Sequence, residues 1–116
     1  MSSVSILIPC FNSVKFIHAT LQSAVVSMID GDELILVDDH STDESFKIAS
    51  EFLSTAGVKF IATINPRKGA CSARNHAFSI SKNPIIQWLD ADDLLGRDKL
   101  KEQRFRLEGS PNSIVV

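Results

Sequence analysis

Four short, strongly apolar runs, each followed by a stretch of helical spacing, limit what this chain can become. VSILIP (4–9), a near-continuous apolar run ended by proline, suggests a strand buried on both faces, and ELILVDD (33–39), VKFIAT (58–63) and PIIQWL (84–89) read as the second, third and fourth strands. Between the first two, Ile17, Leu21, Ala24, Val25 and Met28 fall on one face of a helix over 14–28. DGD (30–32) reads as a turn. STDE (41–44) reads as a capping box with Ser41 as N-cap and Glu44 reaching back, opening a helix that buries Phe46, Ala49, Leu53 and Ala56 before Gly57 ends it. Residues 70–82 suggest a third helix, with Ala70, Ala73 and Ala77 facing the sheet. Residues 97–108 predict a strongly charged fourth helix ended by GSPN, and SIVV (113–116) begins like another strand. Strand and helix alternate throughout. The expected architecture is therefore a Rossmann-like, three-layer α/β/α domain with a mainly parallel sheet.

At 116 residues the chain suits one domain, and 44% hydrophobic content supplies a core. A net charge of −2 with interspersed acids and bases gives no basic stripe for nucleic acid. The longest apolar runs fall far short of the ~20 residues that span a bilayer. No basic segment precedes VSILIP, so the start is read as a strand and not a signal peptide. That reading places the chain in the cytoplasm, or peripherally at the inner membrane face. Cys10 and Cys71 match no zinc spacing and are expected as free thiols.

In parallel sheets of this kind ligands bind beyond the carboxyl ends of the strands, where strand order switches. The unusual polar clusters of this chain all follow strands: PCFN after the first, DDHS after the second, DADD after the fourth. For Asp38 and Asp39 the plainer reading is a solvated strand end and a helix turn. The functional one is a carboxylate that accepts hydrogen bonds from a ribose or a base edge. His40 suits a left-handed backbone position and is read as structural. Arg67, Lys68 and Arg74 surround a helix start that could attract a diphosphate. Neither G-x-G-x-x-G nor G-x-x-x-x-G-K is present, which argues against a dehydrogenase or P-loop site. A calcium loop starting at Asp90 fails, because its fifth position is Leu94 and its twelfth is Lys101. Asp90 and Asp92, two apart, point to one side in extended backbone and could hold a hard cation together with substrate phosphates. Asp93 is read as a cap. His18 is placed at the surface or boundary and His76 beside either pocket or core. Cys10 or Cys71 as a nucleophile is a poor reading, since no Ser-His-Asp or Cys-His order is legible.

Taken together, VSILIPCFNSVKFIHATLQSAV, ELILVDDHSTDES and GACSARNHAFSISKNPIIQWLDADD resemble the nucleotide-sugar half of the inverting family 2 glycosyltransferases of the GT-A fold. The resemblance spans residues 4 to about 100 and rests on Pro-x-aromatic-Asn, V-D-D-x-S-x-D, G-x-x-x-A-R-N-x-A and D-A-D-D in that order. It implies that Pro9, Phe11 and Asn12 lie along the nucleoside and that Asp39 bonds the uracil of a UDP-sugar with Asp38 in support. It further implies that Arg74 lies near diphosphate or ribose, that Asp90 contacts ribose or donor sugar, and that Asp92, with Asp90 as a second candidate, holds Mn2+ or Mg2+. His40 departs from the glycine or asparagine common there. The implied reaction is metal-assisted displacement at the anomeric carbon with inversion, onto an unidentified saccharide, lipid or protein hydroxyl. The resemblance puts the general base beyond Val116, so this chain is expected to supply donor binding without efficient transfer. A homodimer through an exposed face is also expected. Against this stand a sugar-phosphate nucleotidyltransferase, which wants a glycine-rich basic loop after strand one, and a receiver domain, whose acids follow strands one and three. A non-catalytic nucleotide-binding fragment is the third alternative.

Overall fold

A computed structural model describes residues 2–96, 98–107 and 114–115. The elements run β1 (Val4–Cys10), α1 (Ile17–Ser27), β2 (Glu33–Asp38), α2 (Ser45–Thr55), β3 (Phe60–Ile64), α3 (Ala70–Ile80), β4 (Ile85–Trp88), α4 (Lys99–Leu107) and β5 (Ile114–Val115). Every strand pair is parallel, and the sheet order is β3-β2-β1-β4-β5. The chain thus builds outward from β1 to β3, then returns to lay β4 against the other side of β1. β1 and β2 are buried along almost their whole length, as unbroken apolar runs require.

Alternate residues of the strands feed two cores. Val4, Ile6, Ile8, Leu34 and Leu36 pack with Ile17, Leu21, Ala24, Ala49, Leu53 and Leu100, so α1, α2 and α4 cover one face. Leu7, Ile35, Val37 and Ile86 pack with Ala73 and Ala77 of α3 on the other. Small residues on α3 let it sit close to the sheet. Ala70, expected to face the sheet, is exposed as the first residue of α3. No helix among the described residues is long and apolar enough to cross a membrane.

Two helix starts differ from expectation, and β3 begins two residues late, at Phe60. α1 begins at Ile17, not 14, because the Ser13 carbonyl first accepts the amides of Phe16 and Ile17 in a turn. The capping box at Ser41 does not form, and α2 begins at Ser45. Ser41 is already committed: its Oγ donates to Asp38 Oδ1 (2.7 Å) and accepts from the Asn12 amide (2.9 Å). Asp43 takes over the turn, accepting from the Ser45 amide (2.9 Å) and hydroxyl. That hydroxyl bond, the largest influence, holds the Asp43 carboxyl below its ordinary value. The start and end expected for α4, residues 97 and 108, lie outside the described residues, as do GSPN and the outer residues of SIVV.

The foot of the sheet holds a network that the sequence did not announce. Asp32, in the DGD turn, is buried and accepts both guanidinium nitrogens of Arg104 together with the amides of Val4 and Ile29 (each 2.9 Å). Buried Glu33 accepts from Ser5 Oγ and the Lys82 amide, each at 2.6 Å. Asn83 donates to the carbonyls of Val4 (3.0 Å) and Gly31 (2.9 Å), closing the loop before β4 onto the same corner.

Candidate functional site

At the opposite end, β1 and β4 part company, and an open cleft of about 320 Å³ lies between them. Pro9, Cys10, Phe11 and Ser13 form its β1 side. Asp39 comes from the β2 tip, Ala70, Ala73 and Arg74 from the start of α3, and Asp90, Ala91 and Asp92 from the loop after β4. This is the switch in strand order, where a parallel sheet opens a crevice because the connections leave in opposite directions. Six of the eight sequence-selected residues therefore meet in one place: Pro9, Phe11, Asp39, Arg74, Asp90 and Asp92.

Asn12 and Asp38 do not line the cleft; they lace two loops together beneath it. Asp38 is 2% exposed, so it does not solvate a strand end. Its carboxylate takes the amide (2.9 Å) and hydroxyl of Ser41. Asn12, at φ 45°, accepts the Thr42 amide through Oδ1 (2.8 Å). The Ser13 amide donates to Ser45 Oγ (2.7 Å) and the Asp39 amide to the Cys10 carbonyl (2.8 Å). The tips of β1 and β2 are thereby locked side by side.

Asp39 is fixed from the other direction. Its Oδ1 accepts the Gly69 amide (2.9 Å) and Asn65 Nδ2 (3.1 Å). Asn65, 1% exposed, also donates to Ser72 Oγ (2.8 Å), which ties β3's end to α3. Gly69 sits at φ 111°, where a side chain would be strained, and its carbonyl accepts the first helical amide of α3, from Ala73 (3.0 Å). The N-terminal end of α3 lies at the cleft beside Arg74, an arrangement that favours an anion. His40 adopts the left-handed conformation at φ 60°, as its residue type suggests, and its Nε2 donates to the Arg67 carbonyl (2.7 Å). Its role is to hold the loop.

Asp90 and Asp92 are exposed, and among the described residues neither carboxylate has a hydrogen bond or ion pair. Asp93 turns away: its amide donates to the Asp90 carbonyl (3.0 Å), its carboxylate accepts the Leu94 amide (2.8 Å), and it lines a separate hollow near Trp88 and Lys99. No cluster of three or more His, Cys, Asp or Glu able to hold a metal occurs among the described residues. Asp90 and Asp92 offer two hard oxygen donors, a set that suits Mg2+ or Mn2+ completed by substrate and water.

The remaining candidates lie apart. Burial first, and then the charge of Asp38, push the Cys10 thiol up to about 12, so it stays protonated and unreactive. Cys71 is an exposed free thiol on α3. His18 packs its ring edge against Phe52 on the surface. His76 lines a polar hollow with Asn65, Arg67 and Asn75 on the outer side of α3. Asn65, Ser45 and Thr20 were missed from sequence. Each is a buried polar residue, and only the three-dimensional pairing shows what satisfies it.

Comparison with known proteins places this cleft in context. The family model described as Glycosyl transferase family 2 matches residues 5–116. The chain is 35% identical over 108 residues to the UDP-Glc:alpha-D-GlcNAc-diphosphoundecaprenol beta-1,3-glucosyltransferase WfaP of Escherichia coli, covering 93% of this chain and 42% of that protein. It is 31% identical to the putative teichuronic acid biosynthesis glycosyltransferase TuaG of Bacillus subtilis, covering 92% and 43%. The chain therefore spans about two fifths of the length of these curated relatives. Among solved structures, S. aureus TarS 1–349 in complex with UDP superposes with a TM-score of 0.80 at 23% identity, over 92% of this chain and 32% of that one. The mannosyltransferase PcManGT of Pyrobaculum calidifontis, in complex with GDP-Man and Mn2+, gives 0.75 at 24% identity, over 84% and 30%. The fold is of the GT-A type.

Proposed function

The chain belongs to glycosyl transferase family 2, and from that premise we propose that it forms the donor site of an enzyme that moves a sugar from a nucleoside diphosphate, UDP by preference, to an acceptor hydroxyl. The observation that carries the reading is the meeting of Phe11, Asp39, Arg74, Asp90 and Asp92 at one switch in strand order. Related structures that hold UDP, UDP-GlcNAc and GDP-Man with Mn2+ support it.

Each residue has a part that its surroundings suit. Phe11, 57% exposed, offers a face for a nucleobase, with Pro9 beside it. Asp39 is held as an acceptor, and its second oxygen is only weakly engaged by the Gly69 amide (3.2 Å), leaving it available to a ring N–H such as that of uracil. Asp38 and Asn12 serve the nucleoside indirectly, by fixing the loops that carry Phe11 and Asp39. Arg74 and the first turn of α3 attract the diphosphate. Asp92 holds a divalent ion, with Asp90 as its partner or as an acceptor for ribose or sugar hydroxyls. A bound Mn2+ or Mg2+ would neutralise the charge that builds on the departing diphosphate. The reaction is displacement at the anomeric carbon with inversion, and we assign its general base outside residues 1–116.

Titration of UDP with and without Mn2+ tests the reading. UDP should bind, Mn2+ should tighten it, and Asp92→Ala should abolish the gain. Binding indifferent to metal, or no binding of any nucleotide, overturns it.

A further inference from the structure

The loop that carries Asp90 and Asp92 is fastened to α1 by two hydroxyls. Thr20, fully buried on the face of α1 that meets the sheet, donates from Oγ1 to the Ala91 carbonyl (2.9 Å). Ser23 Oγ accepts the Leu95 amide (2.9 Å) and donates to the Thr20 carbonyl (2.7 Å). Ala91 and Leu95 are both 5% exposed and sink into the core on the α1 side, while Asp92, Asp93 and Leu94 between them stay exposed. Ala91 is also the single residue separating the two candidate cation ligands. Fixing its carbonyl fixes the peptide plane that it shares with Asp92, one residue from Asp90.

Thr20 behaves unlike most other helical hydroxyls. A serine or threonine inside a helix ordinarily bonds a carbonyl one turn back. Ser27, Ser54, Thr55 and Ser79 do so. Thr20 instead spends its proton on a loop 71 residues away. Neither Thr20 nor Ser23 lines the cleft, so neither touches what binds there. The same helix grows out of the loop that carries Phe11, through the bond from the Ile17 amide to the Ser13 carbonyl (2.8 Å). One rigid element therefore carries both the nucleobase wall and the carboxylate wall.

We propose that Thr20, braced by Ser23, is a positioning residue that sets Asp90 and Asp92 at the spacing a divalent cation and diphosphate require. This rests on the donor-site reading above. A purely structural Thr20 would lower stability and would not single out the metal.

The test compares Thr20→Val, which keeps shape and loses the hydroxyl, with Thr20→Ser, which restores it, in the natural protein. UDP affinity is measured with and without Mn2+, alongside uridine affinity and the unfolding midpoint. We expect Thr20→Val to weaken Mn2+-dependent UDP binding about tenfold, the low end for groups that orient metal ligands. Uridine affinity should hold, and Thr20→Ser should recover most of the loss. An unchanged metal gain in Thr20→Val overturns the proposal, and so does an equal fall in uridine and Mn2+-UDP affinity. Should Thr20→Val fail to fold, Ser23→Ala must show a smaller loss in the same sense, and an unchanged metal gain there overturns it too. Failure of the unmodified protein to bind UDP with metal overturns the donor-site reading and this inference together.

Discussion

Both ends of the sheet carry three acids within four residues, DGDE at 30–33 and DADD at 90–93, and they treat two of the three in opposite ways. At the foot, Asp32 and Glu33 are buried, and every oxygen of Asp32 is met by a guanidinium or a backbone amide. At the head, Asp90 and Asp92 face solvent with no partner among the described residues. Charge density is the same. What differs is where the donors come from. The foot supplies them from Arg104, Ser5 and three loop and strand amides, so its acids belong to the fold. The head leaves the lone pairs of Asp90 and Asp92 open, as the proposed cation site would require. The difference identifies a site better than the acids themselves do.

The contrast can be broken most forcefully at the foot. Arg104→Ala leaves Asp32 buried without its counter-charge, held only by the Val4 and Ile29 amides, and should cost about 3–5 kcal/mol in urea unfolding. A loss below about 1 kcal/mol would mean that water reaches Asp32 and that the foot is not closed. The next effect is one of pH. Because burial raises the Cys10 thiol from 9.0 to about 12, the folded chain keeps a proton that the unfolded chain releases. The associated stability is full below pH 9 and declines as pH rises toward 12, at most about 1.4 kcal/mol per pH unit. Unfolding of the protein and of Cys10→Ala across that range should diverge, with the cysteine form losing more; parallel curves would show the thiol to be hydrated. The smallest effect belongs to the head. Asp92→Asn should change stability by less than about 0.5 kcal/mol, with any change toward stabilisation as like charges are relieved. Marked destabilisation would move Asp92 into the same structural class as Asp32.

Much of this was legible in the chain. The apolar runs of β1 and β2 read as buried strands because both faces of the sheet are covered there, whereas β3 at the edge is only half-buried, and the polar clusters after β1, β2 and β4 did converge. The left-handed His40 was legible from its residue type. What failed to show is pairing at long range. Arg104 sits on a helix whose charge suggested solvent, yet it is 3% exposed because Asp32, far off in sequence, waits beneath it. STDE had the letters of a capping box, but Asp38 and Asn12 had prior use of Ser41. Thr20 stands in an apolar stripe where a polar residue looks like noise, and its acceptor is in the loop after β4. Local rules place elements; they cannot say which distant group claims a hydroxyl.

The strand order has a consequence for assembly. β1 is paired with β2 early in the chain, but its other neighbour, β4, begins at Ile85. A nascent chain that has emerged only through β3 carries Phe11 and Asp39 but neither Asp90 nor Asp92. The cleft is complete only once β4 has inserted beside β1, so finishing the sheet and finishing the cleft are one event.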